Sequence, residues 1–322
     1  MDRGKGFSLV ELAVVMLIVA LLLAAALIPF STQIDLKNTA DTQRTMESIK
    51  EAVMGFVQAN GRLPCPANGT TPDGGVDTTT WPPNSIAAGV EQWDPAAGAR
   101  RCLTASGVVP WATLGVLATD AWGRRFSYRV SPAFADDVSL WKTWSSVQNA
   151  VGPPALPAPQ TVPSIPSPQN QTPACNPAPA PALSSFALCS LGDIVVFTRS
   201  ETTHAVSPLG AGVPVVIISH GKNGYGAFQA TGNRIIGPND LNADGVPDQD
   251  VDEAANATGN TVAALVPPTY NQWAFYSRSP IRPTSPCSDT AAGQSLCEFD
   301  DIVVFVTSNV LIARMVSAGR LP

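Results

Sequence analysis

The chain opens with a run that few folds can accommodate. In GFSLVELAVVMLIVALLLAAALIPF, from Gly6 to Phe30, every residue between Leu12 and Ile28 lacks a charge or a hydrogen-bonding side chain. A helix over residues 7–28 is roughly 33 Å long at about 1.5 Å per residue, enough to span a bilayer core of about 30 Å. Arg3 and Lys5 precede the run, which orients the N-terminus toward the cytoplasm and everything after Phe30 outside. A cleaved secretory signal is the plain alternative. Its apolar core is usually about 7–15 residues and ends at a small-residue site, whereas here Ala24-Ala25-Ala26 is followed by Leu, Ile and Pro. One acid, Glu11, stands at the front edge with apolar residues on both sides. A carboxylate at membrane depth wants a cationic partner, which makes Glu11 a functional candidate.

The helical pattern continues past the apolar run. Met46, Ile49, Val53 and Phe56 recur at i, i+3, i+7 and i+10, on one face, and Asn60-Gly61 is a stop. Pro29 has no amide hydrogen and is expected to kink or loosen the helix. The spacing predicts one long helix, an apolar half and then an amphipathic half, laid against a globular head. With 322 residues, 45% of them hydrophobic, the chain can build that head as one large domain or two moderate ones. Charged residues are 14%, the net charge is −6, and Lys and Arg are scattered, so no nucleic-acid partner is expected.

Phe126, Tyr128 and Val130 alternate with Ser127 and Arg129, a strand signal. Residues 153–181 hold eleven prolines, and proline cannot donate to a ladder, so this segment reads as an extended or disordered linker or insertion. CSLGDIVVFTRS (189–200) and CEFDDIVVFVTS (297–308) share C-x-x-x-D-I-V-V-F and predict two similar strands of one sheet, each with a stapled loop. VPVVIISHG (213–221) is a third strand. The segment SNVLIARMVSAGRLP reads as a closing helix, capped by Ser308 or Asn309 and ended by Gly319.

Site candidates are few. None of the six cysteines falls in a C-x-x-C motif and the chain has two histidines, which argues against zinc. In an exported chain an even count reads as disulfides, and nearest-neighbour pairing gives Cys65–Cys102, Cys175–Cys189 and Cys287–Cys297, one of fifteen possible pairings. DLNADGVPDQDVDE (240–253) offers calcium oxygens from Asp240, Asn242 and Asp244, a turn at Gly245, the Val246 carbonyl and Asp248. Position twelve of an EF-hand is Glu, and here it is Val251, so Asp250, Asp252 or Glu253 would have to close the shell. The alternative is a solvated acidic turn. There is no G-x-S-x-G and no H-E-x-x-H, and adjacent Ser219 and His220 do not orient each other as nucleophile and base, so no enzyme is expected. Both His204 and His220 read as structural.

The segment KGFSLVELAVVMLIVALLLAAALIPF resembles the leader and N-terminal helix of type IV pilins and type II secretion pseudopilins, with a basic leader ending in Gly6, then Phe7, then an acid at the fifth mature position, Glu11. Two positions depart from the family pattern: Pro29 falls one residue late, and Ala20 stands where many members have Gly. DAWGRRFSY (120–128) and SHGKNGYGAF (219–228) are shorter echoes of pseudopilin head motifs, with Ala121 for a proline and Asn223 for an acid. The resemblance implies cleavage between Gly6 and Phe7 by a prepilin peptidase, methylation of the new amine, and pairing of Glu11 with the Phe7 amine of a neighbouring subunit. It implies an α+β fold in which a long N-terminal helix packs on an antiparallel β-sheet head. The divisions are a leader (1–6), an assembly helix (7–30), an amphipathic helix (31–61), a first head segment (62–150), a proline-rich segment (151–183) and a β-rich segment (184–322). The implied partners are other pilin or pseudopilin subunits and an inner-membrane assembly platform; the implied location is the inner membrane, single-pass with a periplasmic head, and then the fibre. The expected function is a structural subunit of a pilus or secretion pseudopilus, a minor one on size; the alternative is an anchored adhesin or binding module displayed on a pilin helix.

Overall fold

The computed structural model describes residues 9–78, 86–94, 101–136, 186, 192–235, 251–262, 272–281, 287–291 and 293–320, with backbone alone for 22–32 and 260–262. One helix, α1 (Leu9–Asn60), runs 52 residues and passes through Pro29. It stops where the sequence placed the stop: Gly61 adopts a φ of 71° and its N–H bonds the Val57 carbonyl, a left-handed terminator that glycine takes without strain. Among the described residues no helix is long and apolar enough to cross a membrane; of the expected membrane half, 7–30, residues 7–8 and the side chains of 22–30 lie outside the description.

The head follows in short pieces. The strands of its first half are β1 (Val76–Asp77), β2 (Ile86–Ala87), β3 (Ser106–Val108), β4 (Arg124–Arg125) and β5 (Ser127–Val130), with one-turn helices α2 (Trp111–Leu114) and α3 (Pro132–Ala135). The second half comprises β6 (Ile194–Arg199), β7 (Val206–Val213), β8 (Val215–Ser219), β9 (Phe228–Gln229), α4 (Val251–Thr258), β10 (Asn260–Val262), β11 (Gln272–Tyr276), β12 (Ile302–Val306) and α5 (Ser308–Ser317). Two four-stranded sheets form, in the orders β12-β8-β5-β3 and β10-β11-β6-β7.

Helix, first sheet and second sheet stack as three layers, and the side-chain alternation of β8 explains why. Val215 and Ile217 join the cluster with Met46, Ile49, Val53, Tyr128 and Leu311. Val216 and Ile218 point the other way, into a cluster with Ile194, Val196, Val213 and Phe275 of the second sheet. A strand covered on both faces gains nothing from polar residues, hence the unbroken apolar run. The predicted face of α1 is the packing face: Met46, Ile49 and Val53 are buried, together with Met54 and Val57, while Phe56 lies partly out, under the Arg62 guanidinium at 4.9 Å.

Three expectations change. The two D-I-V-V-F segments are strands of different sheets, β12 in the first and β6 in the second, because the repeat encodes a buried strand and not its neighbour. The head is not wholly antiparallel, since β6 and β11 run parallel. The closing helix has Thr307 as its N-cap, and the Ser308 hydroxyl instead donates to the Gly212 carbonyl at 2.7 Å. Two of the three proposed disulfides are present, Cys65–Cys102 and Cys287–Cys297; Cys175 and Cys189 lie outside the described residues. The first closes a separation of 37 residues, a loop for which the chain-entropy model gives roughly 4 kcal/mol.

Candidate functional site

The assembly end of the molecule is α1 itself. Residues 9–21 are exposed, with Leu9 at 86%, Val10 at 71% and Leu12 at 58%. Thirteen successive exposed positions, of which only Glu11 is polar, make a surface that water does not favour and that lipid or neighbouring helices would cover. Glu11 sits in the first turn. Gly6 and Phe7 lie outside the described residues.

The acidic loop Asp240, Asn242, Asp244, Val246, Asp248 and Asp250 also lies outside them. Asp252, expected among the calcium ligands, is described, and its carboxylate is taken up by two arginines instead. It is fully buried near the start of α4, where its carboxylate accepts Arg199 Nη2 at 2.7 Å, Arg199 Nε at 2.9 Å and Arg278 Nε at 3.0 Å. Arg278 reaches on to Asp289 at 3.3 Å, and Asp289 accepts the backbone N–H groups of Val251 and Cys297. The sequence reading missed this because each acid meets a base more than ten residues away. The hydrogen bonds that Asp252 accepts raise the Arg199 pKa.

A second acidic group lies beside it. Glu253 and the two acids ahead of β12, Asp300 and Asp301, bring carboxylate oxygens within 4.8 Å of one another and are the described residues closest to a metal-binding set. Their surroundings fit a shared proton better than a cation. The oxygens already accept N–H groups from Asn223 Nδ2, the Asn223 and Asp300 backbones and Asn256 Nδ2, whereas calcium wants six to eight oxygens and repels such donors. Burial, then Asp301 and Asp300, push Glu253 up to about 9, and burial raises Asp300 and Asp301 as well. Arg124 beside Asp300 and Arg278 beside Asp301 oppose the rise.

A group whose folded pKa lies above its unfolded value binds its proton more tightly in the native state, so its contribution is complete below the unfolded pKa and lost as pH rises toward the folded one. The folding stability is therefore expected to fall between about pH 5 and 9, by an amount on the order of a few kcal/mol, and the melting temperature with it. Glu253→Gln, which keeps the shape without the proton, should flatten that decline and melt higher than wild type at pH 8. Parallel pH profiles for the two proteins would show that the proton lies elsewhere.

The histidine that seemed incidental is the unexpected member of this region. His220 is fully buried, with Nε2 2.8 Å from Ser127 Oγ and Nδ1 3.4 Å from Asp301 Oδ1. The adjacent Ser219 turns away and donates to Asp120 at 2.7 Å. His204 sits in a turn with a φ of 58°, its carbonyl accepting Arg199 Nη1. Ser127, Arg234, Phe228 and Asn68 line a cavity of about 340 Å³ between the first sheet, the β9 turn and α4.

Residues 1–27 match the family described as the prokaryotic N-terminal methylation motif. Over 81 residues, 24% of this chain and 70% of its relative, the sequence is 36% identical to the type IV narrow pilus major component PilA5 of Thermus thermophilus. The chain belongs to the type IV pilin family. No solved structure matches it. A pilin of this length carries a head much larger than the aligned portion, so the polar clusters above are features to be explained from this chain alone.

Proposed function

We propose that this pilin is a minor subunit of a type IV pilus or a secretion pseudopilus, made as an inner-membrane protein with a periplasmic head. A prepilin peptidase cuts between Gly6 and Phe7 and methylates the Phe7 amine; an inner-membrane platform then stacks the subunit with other pilins through α1. The observation that carries this reading is the single 52-residue helix whose first part is exposed and apolar while Met46–Val57 pack on the head. Such a helix joins an assembly rail rigidly to its cargo. Within the fibre Glu11 faces the amine of the neighbouring Phe7. Mass spectrometry of the mature N-terminus should find methyl-Phe7, and replacing Gly6 with a bulky residue should block cleavage; an intact Met1, or cleavage after Ala26, would sink the proposal.

Calcium belongs to the same reading, with the loop Asp240–Asp250 supplying every ligand now that Asp252 is committed to Arg199 and Arg278. A ligand bound to the folded state alone adds about 2.7 kcal/mol at a hundredfold excess over Kd. The protein should melt higher in calcium than in chelator, and Asp240→Ala or Asp244→Ala should abolish the difference; identical melting curves would reduce the loop to a solvated turn. The second reading, an adhesin or binding module displayed on the fibre, is favoured by one observation, the cavity at Ser127.

A further inference from the structure

The strand register places three chemically unrelated segments in one row. Ser127 pairs with Ile218, and Ile302 pairs with Ser219. Side chains alternate along a strand, so His220 shares the face of Ile218 and is the diagonal neighbour of Ser127. Carrying the β12–β8 register one step on sets Asp301 opposite His220, on that same face, turned toward the second sheet. The contacts at 2.8 Å and 3.4 Å are the result. From this geometry we infer that the head of this pilin carries a nucleophilic serine, Ser127, with His220 as its base and Asp301 as the residue that positions the imidazole, and that the cavity it lines receives a small carboxylic ester.

The Ser127–His220 contact meets the distance that the chemistry requires. His220 Nδ1 and Asp301 Oδ1 lie 3.4 Å apart without a hydrogen bond in this structure, so Asp301 acts on the ring through proximity. A serine nucleophile needs a base within about 2.6–3.2 Å and an orienting group behind the base. Desolvation of the buried ring, with Arg234 and Arg124 nearby, lowers His220 to about 4 against the pull of Asp300 and Asp120, so the imidazole is neutral. Asp301 is itself fixed, its other oxygen accepting Asn256 Nδ2 at 2.8 Å. Ser127 is only partly covered and opens on the cavity, as do Arg234 and Phe228. The Arg234 guanidinium is anchored by the carbonyls of Gly226 and Ala257 and leans over the Phe228 ring. It supplies positive charge on the cavity wall, where an oxyanion gains most from it.

The reaction balances with water alone. Ser127 Oγ bonds to the ester carbonyl carbon as its proton moves to His220 Nε2. The carbon–oxygen bond to the alcohol breaks, and the alcohol leaves with that proton. Water, deprotonated by His220, then attacks the acyl-serine, and Ser127 recovers its hydrogen, so ester and water give acid and alcohol. Glu253 and Asp300 take no part in these steps.

Full-length protein in detergent, treated with a fluorophosphonate probe and digested for peptide mass spectrometry, should carry the probe on Ser127. Ser127→Ala should lose it, and heat-unfolded protein should not acquire it. Asp301→Asn tests positioning: the maximal labelling rate should drop at least about tenfold while the probe concentration at half-maximal rate stays constant. His220→Gln, checked for an unchanged melting temperature, should abolish labelling; should it fail to fold, the Ser127→Ala and Asp301→Asn results decide. Folded wild type with no adduct on Ser127, or Asp301→Asn labelling at the wild-type rate, would overturn the inference and leave His220 as a satisfied core side chain. The pilin reading is untouched by either result, because its test is the mature N-terminus.

Discussion

Asp252→Ala is expected to unfold the head under conditions where wild type is fully folded. The substitution leaves Arg199 and Arg278, both almost wholly buried, without their shared counter-charge. Breaking one side of a buried pair costs about 3–5 kcal/mol, because the stranded charge must stay desolvated. That is a large share of a typical domain stability of about 5–15 kcal/mol. Here Arg199 loses its carboxylate and Arg278 keeps Asp289, in the Cys287–Cys297 loop, at 3.3 Å. Urea melts of the full chain should show the midpoint displaced with the slope retained. A loss below about 1 kcal/mol would mean that water or Asp289 replaces the carboxylate, in the range of an exposed pair.

Glu11→Ala is expected to do the reverse, sparing the subunit and keeping it out of the fibre. If its partner is the Phe7 amine of a neighbour, that pair forms only on assembly. Water limits such a pair to about 1 kcal/mol at 4 Å, and a low-dielectric setting strengthens it several-fold. Insertion, leader cleavage and head melting should stay as in wild type. The fraction of subunit recovered in sheared fibres should fall at least about tenfold, the factor that 1.4 kcal/mol gives. Glu11→Gln keeps the shape and loses the charge, and should assemble as poorly. Wild-type incorporation of both variants would leave Glu11 without a role in assembly.

What the sequence made legible follows from how local the governing physics is. The helix from Met46 to Val57, its stop at Gly61, the β5 alternation and the stretch of β8 rest on periods of a few residues and survived intact. Two disulfide pairs came from proximity in sequence, a fair guide when loops are short. Sheet membership did not, since C-x-x-x-D-I-V-V-F says that a strand is buried without saying beside which partner. The polar clusters were hidden for the same reason: Arg199 meets Asp252 across 53 residues, and Ser127 meets His220 across 93. One signal was available in hindsight. Consecutive acids directly ahead of an apolar strand, Asp300-Asp301, are exposed only if nothing covers the strand end, and here α4 covers it with Glu253 and Asn256.

The Cys65–Cys102 bond would set the load path if the subunit were pulled along α1. A pull along α1 leaves the helix at Asn60 and reaches Cys65 five residues later. There the covalent bridge hands it straight to Cys102, four residues ahead of β3 and the first sheet. The 37-residue excursion between the two cysteines is thereby shunted out of the load path. Stretched out, it would pay out roughly 125 Å of slack; bridged, it pays out none. Arg320, clamped on the Gln58 and Ala59 carbonyls at 2.8 and 2.7 Å, adds a second, yielding link at the same junction. The point where rail meets cargo is thus stiff in extension, and the loop beside it is left at liberty to change its sequence without changing how the fibre bears a load.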